Sequence, residues 1–498
     1  MSSEKLEQLK ARLAEAADID NAASLLQWDM EVYMPPKGAE ARGMQLATLS
    51  ALKHRLFTSA EVGDLLSALD DAGLSEDERR LVDVTRYDYD RASALPEEFV
   101  HEFSEAQTRA YHAWIKARAE SSFPQFQPHL EKIVELNQRR AEYHGYEGSP
   151  YNALLEDYER GMTVERLTPL FDAVAPGQSE LVRQIGESSA QPNAAWLKGE
   201  WDEQAQWDFS IQILKDIGYD FEAGRQDKSV HPFTTNFDMH DVRITTRLSK
   251  TNPFSALMGS LHEGGHALYE QGIRPEDRRT PLAGGTSLGI HESQSRLWEN
   301  VIGRSLPFWK RYTPLFKQYF PDNLDGVGPE EVYAAVNRVT PSLIRVEADE
   351  CTYNLHIILR YRLERGLIEG RLAVEDVPEA WNASMNELLG VDVPNDAEGC
   401  LQDIHWSHGA MGYFPTYALG NLYAAQLLQV IERDVPGLWE QVEQGAFAPL
   451  LTWLRERIHQ HGRRYTPVEL MERICGEPPD AEPYLSYLTT KYGALYGL

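Results

Sequence analysis

The sequence of 498 residues is short of cysteine and of basic residues, and each shortage excludes a class of protein. Its three cysteines, Cys351, Cys400 and Cys475, are odd in number and far apart. They predict reduced thiols and exclude a disulfide framework or a thiolate metal site. Lys and Arg number 48 against 77 Asp and Glu, which gives a net charge of −29 at pH 7. Nucleic acids and anionic membranes attract basic surfaces, so neither is an expected partner.

Two kinds of hydrophobic segment are also missing. The start, Met-Ser-Ser-Glu-Lys-Leu-Glu, has no basic region followed by an apolar run, so no signal peptide is predicted. No stretch approaches the roughly 18 unbroken apolar residues of a membrane span. The contents of hydrophobic residues (42%) and charged residues (25%) are ordinary for a soluble globular protein. Together with the reduced thiols and the lack of a signal peptide, they lead us to expect a cytoplasmic protein.

Helical periodicity dominates the chain, with apolar residues recurring at three- to four-residue steps between charged ones. Residues 296–309 and 342–365 are among the helices that this pattern predicts. Residues 230–248 differ, because Val242 and Ile244 alternate with Arg243 and Thr245 in the period of a strand. The predicted fold class is therefore all-α, with one small β-hairpin or sheet. An edge of that hairpin could pair with an extended peptide, although an ordinary surface hairpin is an equal alternative.

Residues 262–266 read His-Glu-Gly-Gly-His inside a run with helical periodicity. On a helix, His262 and His266 project from one face, so both imidazoles can bind one metal ion. Glu263 lies beside that pair, where it can hold and deprotonate a metal-bound water. This is the zincin motif. A buried, structural histidine pair remains the alternative for the motif taken alone.

Glu292 is the predicted third ligand. It follows a glycine-rich segment and lies 26 positions after His266, enough for a second helix to return against the first. Two histidines and a glutamate leave one position open for water, as a catalytic zinc site requires. Gly272 excludes the alternative zincin arrangement with a third histidine six positions after the second. His291 is expected to be a packing or substrate-side group, because adjacent helix positions diverge by about 100°.

Further motifs follow each other in a fixed order along the chain. They are Asp-Val-Arg-Ile-Thr at 241–245, His-Glu-Gly-Gly-His at 262–266, His-Glu-Ser-Gln at 291–294, Ile-Arg-Val-Glu-Ala-Asp at 344–349, Gly-Cys-Leu-Gln-Asp-Ile-His-Trp at 399–406 and Gly-Tyr-Phe-Pro-Thr-Tyr at 412–417. Because it has all of these motifs in this order, the chain resembles the carboxypeptidase Taq family, the thermostable-carboxypeptidase-type metallocarboxypeptidases. The resemblance covers essentially the whole chain.

The resemblance implies a zincin-like molecule similar to neurolysin and the angiotensin-converting enzymes, saddle-shaped with a deep central groove. We expect a single domain over 1–498. Its parts would be an N-terminal helical part covering the groove (1–150), the hairpin and metal-binding helices (230–300), and the substrate-binding and catalytic helices (340–425). The resemblance also implies a homodimer, one Zn²⁺ per subunit with Co²⁺ as an alternative, and peptide substrates with a free C-terminus.

The resemblance implies roles for individual residues. Glu263 would be the general base, and His405 and Tyr417 are candidates to stabilise the oxyanion, with Tyr413 close behind. Arg345 would bind the substrate α-carboxylate in a bidentate manner. Its alternative is an ion pair with Glu347 or Asp349 on the same segment. The further candidates for contacts with substrate are Asp241, Arg243 and Tyr413.

The predicted function is therefore metal-dependent release of single C-terminal amino acids from peptides with broad specificity. Two alternatives remain at this point. One is an endopeptidase or dipeptidyl carboxypeptidase on the same fold, and the other is a catalytically silent peptide-binding relative. Glu263 beside three intact ligands argues against the silent relative, because a binding protein does not need the base.

Overall fold

The computed structural model describes residues 2–70 and 73–498. That part of the chain contains three β-strands and twenty α-helices, so it is mostly helical, as the periodicity predicts. The strands are β1 (Gly224–Lys228), β2 (Thr234–Asp238) and β3 (Asp241–Thr246). The helices are α1 (Ser2–Val32), α2 (Ala39–Phe57), α3 (Ala60–Ser67), α4 (Glu76–Ala94), α5 (Glu97–Glu120), α6 (Phe123–His144), α7 (Tyr151–Leu155), α8 (Val164–Glu187), α9 (Glu203–Asp216), α10 (Phe254–Glu270), α11 (Leu288–Arg296), α12 (Leu306–Tyr319), α13 (Pro329–Val336), α14 (Tyr353–Ile368), α15 (Val377–Leu389), α16 (Pro415–Asp434), α17 (Leu438–Gln444), α18 (Ala448–Arg457), α19 (Pro467–Cys475) and α20 (Glu482–Tyr496).

The small sheet has the strand order β1-β3-β2. Strand β3 pairs antiparallel with β2, which confirms the predicted hairpin, and parallel with β1. The sequence Gly-Arg-Gln-Asp-Lys of β1 has no apolar alternation, so its pattern did not predict a strand. A side chain at Gly224 would place its Cβ 2.1 Å from the carbonyl oxygen of Val242, so only glycine fits where β1 begins.

Helix α10 lies at the centre of the molecule. It packs against the sheet, against α9 and against α11, and α11 in turn packs along α16. The leucines that set the periodicity of α10, Leu257, Leu261 and Leu268, are all buried. The predicted fold class, mostly helical with a small sheet beside the central helix, is confirmed.

A second, smaller hydrophobic cluster lies in the N-terminal helices. Leucines and valines of α1, α3 and α4 pack together there, and Leu282 from the connection between α10 and α11 joins them. Helix α2 has no buried residue. The division of the domain into parts at 150, 230–300 and 340–425 stays a prediction. Among the described helices, none is long and apolar enough to span a bilayer.

The predicted helix over 342–365 is wrong in its first half. Residues Arg345–Glu347 form a single 3₁₀ turn, and α14 begins only at Tyr353. The carboxylate of Asp349 accepts hydrogen bonds from the backbone N–H groups of Thr340, Cys351 and Thr352. These bonds satisfy the backbone in a turn instead of a helix, as aspartate commonly does.

The predicted helix over 296–309 is also interrupted. Helix α11 passes into a π-helical turn at Leu297–Ile302, and Ser305 then caps the start of α12 by accepting a hydrogen bond from the N–H of Phe308. Apolar periodicity does not distinguish a π-turn from an α-helix, so the sequence pattern did not show this break.

Candidate metal centre

Three side chains converge where α10 meets α11. The Nε2 atoms of His262 and His266 lie 3.6 and 3.4 Å from the same carboxylate oxygen, Oε2 of Glu292. One ligand atom from each of the three residues lies within 4.8 Å of the others. Two imidazole nitrogens and one carboxylate oxygen suit a divalent ion such as zinc. The side chains therefore fit the metal that the motif predicts.

Two glycines let the helices approach closely enough for this convergence. A Cβ on Gly265 of α10 would lie 2.6 Å from the carbonyl oxygen of Gln294 on α11. A Cβ on Gly420 of α16 would lie 2.4 Å from Cγ of Glu292. Helix α11 is thus held between two helices at distances that only glycine permits. Of the two glycines between the histidines, Gly265 is therefore required by the close approach of α11.

Each histidine has a partner for its other ring nitrogen. Nδ1 of His262 lies 2.9 Å from Oε2 of Glu299, which belongs to the π-turn. Nδ1 of His266 lies 2.6 Å from Nδ1 of His291, whose Nε2 lies 2.7 Å from Oε1 of Glu270. Such partners fix the tautomer and orientation of metal-ligating imidazoles. His291 is therefore not one of the three converging side chains; its ring packs against Tyr269 and supports His266, a predicted ligand.

The electrostatics of the cluster favour a cation. Burial works to raise the pKa of Glu292, but the charges of Arg296 and His262 outweigh it and lower that pKa well below its usual range. Burial also opposes the charging of His262, yet Glu292 and Glu299 raise its pKa to about 9. For His266, burial lowers the pKa to about 3. His262 therefore carries one more proton than the neutral His266 at pH 7, and binding of a metal ion to its imidazole would release that proton.

Glu263 is held beside the histidines by the sheet. Its side chain is buried, and the hydroxyl of Thr234 donates a 2.6 Å hydrogen bond to Oε2. Burial raises the pKa of Glu263 above its ordinary value. Thr234 is the first residue of β2, one of the two edge strands of the sheet, so this edge contacts the predicted base.

A second polar cluster centres on Arg345. Its Nε and Nη2 donate to Oδ1 of Asp403 at 3.0 and 2.8 Å, and its Nη1 donates to the hydroxyl of Tyr353 at 3.1 Å. Arg360 donates to the other oxygen of Asp403 at 2.6 Å. The local ion pair with Glu347 or Asp349, which was the alternative for Arg345, is therefore replaced by a long-range pair with Asp403.

Tyr353 connects the two clusters. The guanidinium of Arg296 lies 4.4 Å from the centre of the Tyr353 ring, and Nε of Arg296 donates to Oε1 of Glu292 at 2.7 Å. The hydroxyl of the same tyrosine accepts a hydrogen bond from Arg345. Tyr353 therefore contacts both Arg345 and the arginine that binds Glu292, the predicted third ligand.

The three residues predicted to stabilise an oxyanion lie together next to Arg345. The rings of Tyr413 and Tyr417 are 5.3 Å apart, and Nε2 of His405 lies 3.4 Å from the Tyr417 hydroxyl. The Arg345 guanidinium lies 5.2 Å from the Tyr417 ring centre. Burial lowers the pKa of His405 to about 3, so this imidazole is neutral at pH 7.

Asp241 and Arg243 are not brought to the metal cluster. They bind each other through two hydrogen bonds of 2.8 Å, and the guanidinium lies 4.4 Å from the ring centre of Trp28 on α1. Side chains alternate along β3, and Thr234, which bonds Glu263, stands opposite Ile244. Asp241 and Arg243 therefore face away from Glu263. They lie on the far face of the sheet, against α1, and their predicted contact with substrate stays a prediction.

The sequence pattern missed several side chains that contact the predicted site residues. Glu299 follows Glu292 by seven positions, two turns along a helix, so an i, i+7 search from the third ligand would have found it. Thr234 and Glu270 carry no comparable signal, because their contacts depend on how the sheet and α10 are placed. Both become visible only in the structure.

Known proteins share this architecture. The profile of the family described as Carboxypeptidase Taq (M32) metallopeptidase matches residues 8–492. Thermostable carboxypeptidase 1 of Thermus thermophilus is 42% identical over 496 residues, 97% of each chain. Carboxypeptidase 1 of Bacillus subtilis is 38% identical over 95% of each chain. The crystal structure of the M32 carboxypeptidase from Deinococcus radiodurans R1 has a TM-score of 0.98 at 42% identity, covering 99% of this chain and 100% of that one.

Proposed function

The chain belongs to the Carboxypeptidase Taq (M32) metallopeptidase family, so it is a metallocarboxypeptidase that acts on peptides, and we propose that it is a zinc enzyme of the HExxH gluzincin type. It would release single C-terminal residues with broad specificity. The observation that carries the proposal is the convergence of His262, His266 and Glu292 beside a buried glutamate. Co²⁺ is the alternative ion, because it accepts the same donor set.

One ion per subunit would be held by His262, His266 and Glu292. When bound, it would polarise the scissile carbonyl and make a water molecule more acidic. Glu263 would accept the proton of the attacking water and pass it to the leaving amine. Two features support Glu263 in this role: burial raises its pKa toward neutrality, and Thr234 orients its carboxylate.

Arg345 is the residue that we propose to bind the substrate α-carboxylate. It is 5% exposed; its guanidinium donates to Asp403 and Tyr353, and its backbone N–H donates to Gln402. Asp403 is shared with Arg360, so two guanidinium groups face one carboxylate and the cluster carries an excess positive charge. A buried positive charge with a fixed fork geometry suits the terminal carboxylate that distinguishes a carboxypeptidase substrate.

His405, Tyr413 and Tyr417 would line the path between Arg345 and Glu292. The Tyr417 hydroxyl, which approaches His405, is the donor that we propose for the oxyanion, with Tyr413 beside it as a substrate contact. Asp241 and Arg243 stay proposed contacts with substrate, on the face of the sheet that lies against α1.

The assembly and location also belong to this proposal. The family resemblance supports a homodimer, which sedimentation of the purified protein would test. The three cysteines are free thiols, two of them buried, as expected for a cytoplasmic enzyme.

One experiment tests the proposal directly. One peptide is offered with a free and with an amidated C-terminus, before and after chelation, and the products are identified by mass spectrometry. We expect stepwise loss of single residues from the free form only, abolished by the chelator and restored by Zn²⁺. Internal cleavage of both forms would contradict carboxylate recognition by Arg345, and activity that survives exhaustive chelation would contradict the metal site.

A further inference from the structure

The π-turn at Leu297–Ile302 is a structural feature that the proposed reaction leaves unexplained. It follows directly on the helix that carries Glu292, and it contains Glu299, the partner of His262. A π-turn is wider than an α-helical turn and is rarely stable by itself, so it needs support from outside. Whatever holds the turn therefore also determines where Glu299 meets the metal-binding imidazole.

The support comes from the C-terminal helix. Asn300, next to Glu299 and 3% exposed, accepts a hydrogen bond at its carbonyl oxygen from Nζ of Lys491 at 3.3 Å. The hydroxyl of Tyr487 lies 3.4 Å from the same oxygen, but it donates to Oε1 of Glu350, which is closer, at 2.8 Å. Both Lys491 and Tyr487 lie on α20. On its other side, the Asn300 amide oxygen accepts from Nε of Arg304, whose Nη2 also reaches Glu299.

Lys491 is buried, with 9% of its side chain exposed. Its ammonium group has three acceptors: Glu350 at 2.6 Å, the Tyr487 hydroxyl at 3.0 Å and the carbonyl oxygen of Asn300. Glu350 is 2% exposed and accepts in addition from Tyr492. A buried ion pair stabilises a fold little more than a well-packed apolar pair would, because both charges lose their hydration. What the ammonium provides beyond packing is a directed bond to the π-turn.

We propose that Lys491 is a positioning residue of the metal centre. Through the carbonyl oxygen of Asn300 it fixes the π-turn, so that Glu299 stays on Nδ1 of His262 and the imidazole keeps its orientation. The proposal rests on the proposed metal site. It adds a side chain of α20 to the residues that position the site, and this side chain lies 191 positions after Asn300 in the sequence.

The test measures metal binding by the full-length, metal-free protein. Zn²⁺ is titrated in competition with a chromophoric chelator, and the visible spectrum of the Co²⁺-loaded protein reports the geometry of the ligands. For Lys491→Met we expect metal binding about tenfold weaker and a changed cobalt spectrum, since partners of ligands typically change affinity by about 10- to 100-fold. Lys491→Arg, which keeps a donor, should recover part of the affinity.

Tyr492→Phe is the matched control. It removes one hydrogen bond to Glu350 but none to Asn300, so its metal affinity and cobalt spectrum should equal those of the wild type. If Lys491→Met does not fold, as judged by circular dichroism, Tyr487→Phe takes its place. Its hydroxyl accepts from Nζ of Lys491 at 3.0 Å and lies 3.4 Å from the Asn300 carbonyl oxygen, so its loss frees the ammonium group to move away from the π-turn.

A double-mutant cycle with Glu299→Gln shows whether Lys491 acts through Glu299. In the Glu299→Gln background, Lys491→Met should weaken metal binding by less than about twofold. An equal loss in both backgrounds, or wild-type affinity and an unchanged cobalt spectrum in Lys491→Met, would overturn the proposal. If the wild type itself binds neither Zn²⁺ nor Co²⁺, the proposed metal site fails first, and that result is distinct from any outcome of the variants.

Discussion

Nδ1 of His266 lies 2.6 Å from Nδ1 of His291, so one imidazole is held by another. When His266 binds a metal ion through Nε2, its Nδ1–H donates to His291, and His291 donates from Nε2 to Glu270. Asn236 then donates to the second oxygen of Glu270 at 2.7 Å. A single set of tautomers satisfies every bond in this series, and that set leaves the lone pair of His266 Nε2 facing Glu292.

His291→Gln should therefore weaken metal binding without removing a ligand. We expect a loss of about 10- to 100-fold in Zn²⁺ affinity, because the orientation of His266 is no longer fixed. Competition with a chromophoric chelator measures it. His144→Gln, which replaces a half-buried histidine on α6, is the control and should leave the affinity unchanged. Wild-type affinity in His291→Gln would mean that the second imidazole does not support the first.

Glu263→Gln and Glu292→Ala should separate catalysis from metal binding. The first keeps all three ligands but loses the base, so we expect bound metal at wild-type stoichiometry and a kcat lower by about 10²- to 10⁴-fold. The second loses the shared carboxylate, and with it both metal and activity. Elemental analysis together with peptide hydrolysis distinguishes them. A Glu263→Gln variant with near wild-type turnover would exclude Glu263 as the base.

Arg345→Met should remove the preference for a free C-terminus. Losing a buried, charged hydrogen-bond donor costs about 3 kcal/mol, or roughly 100-fold in kcat/KM on a free-acid peptide. Asp403 keeps its bond to Arg360, so the fold should persist. The measurement is the ratio of kcat/KM for free and amidated peptides. Arg338→Met, at an exposed arginine nearby, is the control for lost charge and should not alter that ratio.

Gly265→Ala should disturb the metal centre through the backbone. The new Cβ would lie 2.6 Å from the carbonyl oxygen of Gln294, which forces α10 and α11 apart. We expect a loss of about 1–3 kcal/mol of stability together with weaker metal binding. Gly43→Ala is the matched control, because Gly43 lies inside α2 with no neighbour within 4 Å of the new Cβ. That change should raise the stability by about 0.4–1 kcal/mol. Equal melting temperatures for the two variants would contradict the close approach.

Glu364 should make stability depend on pH. Burial raises its pKa to about 7, although Tyr151, Trp406 and Gly412 donate hydrogen bonds to it. The folded chain therefore binds more protons than the unfolded chain between about pH 4.5 and 7. In that window stability falls as the pH rises, and above it this contribution is constant. At pH 5 the Glu364→Gln variant is expected to be less stable than the wild type, because its side-chain amide cannot accept all of these hydrogen bonds.

The difference in melting temperature between Glu364→Gln and the wild type should shrink from pH 5 to pH 8, because only the wild type acquires a buried charge. One pKa unit corresponds to about 1.4 kcal/mol, so the change should be of the order of a few kcal/mol. Glu350→Gln is unsuitable as a control, since Lys491 pairs with that carboxylate. Glu180→Gln on the exposed face of α8 serves instead. A constant difference for Glu364→Gln would mean that its carboxyl group does not titrate in this window.

Much of the site follows from residues that are close in sequence. His262, Glu263 and His266 share one turn of helix, and Glu292 follows at a distance that lets a second helix return, so local geometry predicts all four. The same holds for the helices themselves, because the apolar period shows on which face each one packs. The predicted hairpin appears as β2 and β3, since alternation along a strand is also a local property.

What the sequence by itself determined about this protein is therefore its helical architecture, its family and the three side chains that converge as the proposed metal ligands. The tertiary structure alone decided which side chains support them. Residues 341–352 leave the helical path because Asp349 binds three backbone N–H groups, and Arg345 consequently meets Asp403, 58 positions away. Asp241 and Arg243 face α1 instead of the metal because the register of β3 points them there. Such contacts depend on the packing of distant segments, and no spacing along the chain encodes that packing.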